Sequence, residues 1–318
     1  MNNTLKIPDI PNVLLLGSGL DQTYGGLSWA KFLSAIATKE YSDKEKIKSL
    51  KCAEPLKAIL ITDDTIDKTL KEKRKMLMQT VDDEKYIAAL KSILEMGFDD
   101  ILTTNYTYEL ESLALSPKKV NDRNIRPLRK HLKNEKRYNL HTYNEVRTGE
   151  YCNRVWHVHG EAACYGGMIL GHYYYGNLLS RIHDYVNDHS KYFKNKLTNN
   201  KNDKPESWID SFIMGDVFVV GFGFGLSELD FWWLLNRKAR EKEKTGKIYF
   251  YEPKLVQSSE KIMLLKTLKN QRGENLVEVI DLNYKMVESK NKYELDGEWK
   301  DFYNCVINDI STRIKGEN

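Results

Sequence analysis

Short, unbroken apolar runs that stop at glycine punctuate this chain. Asn12-Val13-Leu14-Leu15-Leu16 runs into Gly17-Ser18-Gly19, and Asp216-Val217-Phe218-Val219-Val220 runs into Gly221-Phe222-Gly223. Runs of this length without polar alternation predict strands buried on both faces, as in a parallel sheet. Four more segments read as strands: Asp100–Thr103, Val155–Val158, Lys247–Tyr251 (ended by Pro253) and Val277–Asp281. Gly166–Gly171 adds a short candidate strand. Between the strands, apolar positions recur at helical spacing. Ile87, Leu90, Ile93 and Leu94 mark a helix over 84–96 that Gly97 terminates. Ser28 caps a predicted helix carrying Trp29, Phe32, Leu33 and Ile36. Further helices are predicted over 108–115, 207–214 and 299–314, and one after Ser227, with Asp230 in a capping-box position. The alternation argues for an α/β fold, a mainly parallel sheet with helices on both faces.

Two stretches break the alternation. Residues 117–150 are polar and basic with little periodicity, apart from a candidate strand at Tyr138–Tyr143. Residues 172–205 open on His172-Tyr173-Tyr174-Tyr175 and become asparagine-rich. The expectation is a single domain over 1–318, with 117–150 and 172–205 as insertions forming a small helical cap over the sheet.

Composition narrows the partners. The 318 residues carry 49 basic and 45 acidic side chains, a net charge of +4, with a mean hydropathy of −0.57. Lysines are interspersed with acids, which describes a solvated surface and not a nucleic-acid stripe. Cys52, Cys152, Cys164 and Cys305 form no Cys-x-x-Cys pair, so neither a disulfide framework nor a zinc site of the usual spacing is expected. No signal pattern opens the chain and no apolar run approaches the ~20 residues of a membrane span. These observations predict a cytoplasmic protein without membrane contact.

The candidate chemistry sits where strands should end, since ligands of open α/β sheets bind beyond the carboxyl ends of the strands. The Gly17-Ser18-Gly19 turn opens a strand–turn–helix unit of the dinucleotide-binding kind, with helix amides available to a pyrophosphate. The strict Gly-x-Gly-x-x-Gly is missing, because the next glycines are Gly25 and Gly26, so an ordinary strand–turn–helix fits equally. Asn105 ends its strand as a ligand-facing amide or a turn former. His157 and His159 stand two apart in Val155-Trp156-His157-Val158-His159-Gly160 and share a face in an ideal strand. They read as a structural pair or, for His159, as a catalytic imidazole. Trp29 and Trp233 are read as core.

Four segments, in order, resemble the sirtuin-like proteins, most closely their bacterial defence branch. They are Gly17-Ser18-Gly19 with Gly26-Leu27-Ser28-Trp29, Thr103-Thr104-Asn105-Tyr106 with Leu110-Glu111, His159-Gly160, and Val219 to Gly223 with Ser227 and Asp230. The resemblance implies a Rossmann-like NAD-binding domain with an inserted helical part. It implies Asn105 and His159 as catalytic residues, and NAD+ as a substrate, with no metal. Gly17, Ser18, Gly19, Thr104, Gly221, Gly223 and Ser227 are then expected at the nucleotide, with Glu252 at a ribose. Two departures matter. The paired-cysteine zinc ribbon of sirtuin deacylases is absent, Cys164 standing alone in that interval. Thr107 replaces an aspartate that helps hold the nicotinamide amide. The first departure favours NAD+ hydrolysis to nicotinamide and ADP-ribose over deacylation. NAD-dependent deacylation or ADP-ribosyl transfer on a protein, and a non-catalytic nucleotide-binding subunit of a larger complex, remain the alternatives. An NAD-depleting effector in anti-phage defence would need control, by a homo-oligomer or a separately encoded sensor.

Overall fold

The computed structural model describes residues 10–38, 44–62, 66–115, 120–133, 139–188, 205–242, 245–255, 260–289, 292–295 and 297–316. In chain order its strands are β1 (Asn12–Leu16), β2 (Asp100–Thr103), β3 (Arg129–His131), β4 (Thr142–Thr148), β5 (Tyr151–His157), β6 (Asp216–Val220), β7 (Ile248–Tyr251), β8 (Lys254–Leu255), β9 (Val277–Ile280), β10 (Lys285–Ser289) and β11 (Lys292–Leu295). Eight of them form one sheet in the order β3-β4-β5-β2-β1-β6-β7-β9, and β8, β10 and β11 form a second, small one. From β5 to β9 every pairing is parallel; β3 and β4 extend one edge antiparallel. The fold is α/β and Rossmann-like, as the alternation of runs predicts.

Successive residues of β1 divide between the two faces. Val13 and Leu15 pack with Trp208, Phe212, Phe231 and Leu234, from helices Trp208–Met214 and Leu229–Ala239. Leu14 and Leu16 pack with Leu90, Phe302 and Val306, from helices Glu84–Leu94 and Trp299–Lys315. Full burial of one such side chain contributes about 1.5–3 kcal/mol, so a continuous apolar run has only this doubly covered place to go.

The cap differs from expectation. Within 117–150, β3 and β4 join the sheet, where a helical insertion was expected. Thr142, Asn144 and Val146 of β4 are buried in strict alternation. That period-2 pattern is hard to see because two of its three inward residues are polar. The predicted strand at 138–143 lies partly outside the described residues, and β4 begins four residues later, at Thr142. Of 172–205, helix His172–Asp188 is described and 189–204 lie outside the described residues. The helical layer over the strand ends comes instead from 29–77, where Phe32, Ile36, Ile61, Leu70 and Leu77 pack around Tyr106, Met168 and Leu170. Gly166–Gly171 is not a strand; Ala162–Gly167 form a 3₁₀ helix followed by extended chain. No helix among the described residues is long and apolar enough to cross a membrane.

One buried ammonium closes a helix end. Lys238 Nζ donates to the carbonyls of Phe212 (3.1 Å), Ile213 (2.9 Å) and Gly215 (2.6 Å), which helix Trp208–Met214 leaves unpaired. Burial pushes its pKa down to about 7. Lys238→Met should strand three carbonyls at about 1–3 kcal/mol each and reduce the urea midpoint; an unchanged midpoint would remove the capping role.

Candidate active site

The register sets four strand ends level. Leu16 pairs with Thr103 and Val220, and Thr103 pairs with His157. The chain leaves β1 to form β2 on one side, and β6 returns on the other, so the crevice opens at a topological switch point. Around it stand the turns after β1 and β6 and the ends of β2 and β5.

The two glycine turns interlock. Gly17 N–H donates to Val220 O and Gly19 N–H to Gly221 O, each at 2.9 Å. A Cβ on Gly17 would lie 2.5 Å from Gly221 O. The glycines therefore allow one turn to sit on the other, and these two amides are not free for a pyrophosphate. Of the expected nucleotide contacts, Ser18, Thr104, Gly221 and Gly223 line the cleft, while Gly17 and Gly19 lie behind it. A short helix, Gly19–Thr23, precedes the Ser28-capped helix Trp29–Ile36 and was not predicted. It buries Asp21 at the cleft wall.

Asp21 organises the Asn105 side. Its Oδ2 accepts from Asn105 Nδ2 at 2.8 Å, and its Oδ1 accepts from the Tyr86 hydroxyl. Asn105 lines the cleft, and with Nδ2 engaged by Asp21 its Oδ1 remains as the acceptor. The Asn105 carbonyl accepts from His157 Nδ1 at 2.7 Å. Burial pushes the Asp21 carboxyl up to about 7.

The two histidines part company. Val155 packs on one face and Trp156 and Val158 on the other. Val158 N–H still donates to Thr103 O, but at Gly160 φ is +86° and the strand is over. His157 keeps its strand direction and sits against Tyr108, with Nε2 2.8 Å from Glu111 Oε1. Both of its nitrogens face acceptors. Burial opposes its charge, but Glu111 outweighs that, and its pKa stands above the ordinary value. Behind it, Asn144 bridges Glu111 and Glu161, and Glu161 pairs with Arg129 at 2.7 Å. His159 turns instead toward Tyr175 and Phe231. Its Nε2 is 2.8 Å from Asp230 Oδ2 and 3.9 Å from Glu228 Oε2. Here too burial opposes the charge and the Asp230 carboxylate outweighs it, so the pKa is raised. Nδ1 makes no hydrogen bond to the described residues, which leaves it as the nitrogen available to the cleft.

Gly160 is required by this geometry. Its φ is left-handed, and a Cβ there would meet Gly167 O at 2.4 Å. Gly160→Ala should cost about 1–3 kcal/mol and displace His159. Chemical denaturation together with the His159 imidazole NMR shifts measures both effects.

The cleft encloses about 230 Å³. Asp21, Glu54 and Glu228 line it together with Trp29, Tyr175 and Phe222, and no Lys or Arg does so among the described residues. Trp29, expected in the core, donates its indole N–H to Glu54 Oε2 at 2.6 Å on the cleft wall. Thr107 lines the cleft as well. Ser227 does not, nor does it cap its helix: the N-cap position belongs to Glu228, and Asp230 is engaged with His159 in place of a capping box. Glu252, at the end of β7, is paired with Lys261 away from the cleft. His159, Glu228 and Asp230 each place a possible metal-ligating atom within 4.8 Å of the others. The 2.8 Å contact is of hydrogen-bond length, which accounts for the grouping without an ion. Asp21, Glu54, Glu228 and Asp230 are the residues that sequence reading missed as site residues. Burial marks Asp21 and Asp230, whereas Glu54 and Glu228 keep 41% and 21% of their side-chain surface and are marked by their place on the cleft wall; both signals are visible only in the fold.

No protein-family model and no curated protein matches the chain. The likeness to sirtuin-like proteins therefore rests on the four segments alone, and the site has to be judged by its geometry.

Proposed function

We propose that this cleft hydrolyses NAD+ to nicotinamide and ADP-ribose. The observation that carries the reading is the pair of braced side chains on neighbouring strand ends: His159 held by Asp230, and Asn105 held by Asp21. The reaction breaks the bond between ribose C1′ and the nicotinamide nitrogen. The bonding pair leaves with the nicotinamide, so the leaving group needs no proton. What remains is a ribosyl cation that must be held and met by water. Asn105 Oδ1 is placed to accept from a ribose hydroxyl or from that water. His159 Nδ1 takes the proton the water loses, as a carboxylate-backed imidazole does. With no Lys or Arg lining the cleft among the described residues, the pyrophosphate would rely on hydroxyls such as Ser18 and Thr104 and on backbone amides of the turn after β6.

An unregulated enzyme of this kind would drain its own cell. The reading therefore includes an effector role, depletion of NAD+ in anti-phage defence, controlled by self-association or by a separately encoded sensor. Incubating the protein with NAD+, alone and with neighbouring gene products, tests it. Equimolar nicotinamide and ADP-ribose support hydrolysis; label retained on protein, acetyl-ADP-ribose from an acylated peptide, or saturable binding without turnover would each replace it.

Asp21 gives a finer test. Asp21 accepts from both Asn105 Nδ2 and the Tyr86 hydroxyl, and an asparagine has one acceptor oxygen, so in Asp21→Asn either the Tyr86 hydroxyl loses its acceptor or Asn105 turns its oxygen away from the cleft. Turnover should fall by about 10²-fold, on the scale of one lost positioned group. Stability should move the other way. The raised carboxyl pKa means that this group's stabilisation is complete below pH ~4 and is lost as pH rises toward about 7. At pH 8 the variant should therefore melt higher than the native protein. Lower melting together with retained turnover would refute the assignment.

A further inference from the structure

Glu228 occupies the N-cap position of helix Leu229–Ala239 without capping it. Its carboxylate turns into the cleft instead. There Oε2 accepts from the Tyr175 hydroxyl at 3.2 Å and lies 3.9 Å from His159 Nε2. Glu228 and Asp230 are thus two acids of one turn that meet the same histidine in different ways. Asp230 is wholly enclosed and orients the ring, whereas the Glu228 side chain keeps 21% of its surface. The positive partner beside it is His159, which Asp230 already engages, and no Lys or Arg lines the cleft among the described residues. A half-buried carboxylate in such a setting gains from a cation brought by the ligand.

NAD+ brings one. Its nicotinamide ring is a pyridinium, and as the C1′–N bond breaks the positive charge passes to the ribose C1′–O4′ unit while the ring leaves neutral. We propose that Glu228 is a catalytic carboxylate that faces this charge, first on the pyridinium and then on the ribosyl cation. The inference rests on the NAD+ hydrolase reading and names the charge that the site selects. Water adds to C1′, His159 takes the proton, and Glu228 forms no bond. Its contribution is a fixed negative charge held on the cleft wall beside the reacting ribose.

NADH has nearly the same shape with an uncharged dihydronicotinamide, and it separates charge recognition from fit. Dissociation constants for NAD+ and NADH should be measured in a His159→Gln background, where turnover is slow enough for binding to be read first. NAD+ should bind roughly 10-fold more tightly. Adding Glu228→Gln, which keeps an acceptor for Tyr175, should remove most of that preference by weakening NAD+ alone. In the otherwise native chain the same substitution should lower kcat by about 10²-fold with a smaller change in KM. Tyr175→Phe, which leaves the carboxylate in place, should keep the NAD+ preference, and it carries the test if the glutamine variant does not fold. If Glu228→Gln weakens NAD+ and NADH alike, or leaves the preference intact, Glu228 only positions Tyr175; the inference falls and the hydrolase reading stands. If the native chain neither binds nor cleaves NAD+, both fall together.

Discussion

Replacing His159 with glutamine should lower NAD+ turnover by about 10²–10⁴-fold, the contribution of one positioned general base. Glutamine can still donate to Asp230 Oδ2, where His159 Nε2 now sits at 2.8 Å, so the fold should persist. What disappears is a nitrogen able to accept a proton at the cleft. The pH dependence follows from the same geometry. The base works as neutral imidazole, so activity rises with pH through the His159 pKa. Asp230 and Glu228 hold that pKa above the ordinary 6.5 against the effect of burial. The acid limb of kcat/KM should accordingly have its midpoint above pH 6.5. Asp230→Asn removes the larger opposing charge, so the midpoint should move down while the plateau falls, because the ring loses its brace. A native midpoint below 6.5, or an Asp230→Asn profile that does not move, would exclude His159 as the base.

Asp100→Ala should cost about 3–5 kcal/mol, the penalty for breaking a buried ion pair from one side. Asp100 is fully buried at the start of β2. Its carboxylate accepts from Arg154 at 2.7 Å, Trp156 Nε1 at 2.7 Å and Ser211 Oγ at 2.6 Å. It thereby ties β2 to β5 and to helix Trp208–Met214, the frame on which Asn105 and His159 stand. Burial pushes its carboxyl above the usual range even with Arg154 beside it. The pair as a whole is therefore a weak source of stability, and the penalty comes from the groups left behind. Arg154 is itself buried and would keep only its contact with Pro205 O and its neighbouring rings. Removing both charges, as Asp100→Ala with Arg154→Met, should cost less than the sum of the two single changes. Urea unfolding of the four proteins measures the cycle; additive costs would show that the carboxylate and the guanidinium act separately.

The sheet was legible because it is covered on both faces. β1 and β6 have no polar residue in their last four positions and stop at glycine, as a strand covered on both faces does. The helices at 84–94 and 29–36 were legible from their apolar stripes and caps. β4 was missed because its inward residues include Thr142 and Asn144, which pay for burial with hydrogen bonds that only the fold supplies, Asn144 to Glu111 among them. The placing of Asn105 and His159 on one cleft was foreseeable from strand ends. Asp21 and Asp230 were not, since their partners lie 84 and 71 residues away. Asp230 in particular looked like half of a capping box, and a carboxylate three residues into a helix gives no sign from sequence that it points inward.

The interlocked turns also decide when a catalytic centre can exist. The first turn follows residue 16 and the second follows residue 220, and each supplies part of the wall of one cleft. Pairing this distant is among the slower events of folding, because chain entropy is lost before any contact compensates. During synthesis from the N-terminus, Asn105 and His159 emerge long before β6 and Asp230 can join them. The nascent chain therefore carries both reactive side chains without the walls or the brace that make them a site. A protein with the activity proposed here would be harmless on the ribosome, its competence waiting until β6 docks against β1 and the helix after it brings Asp230 to His159.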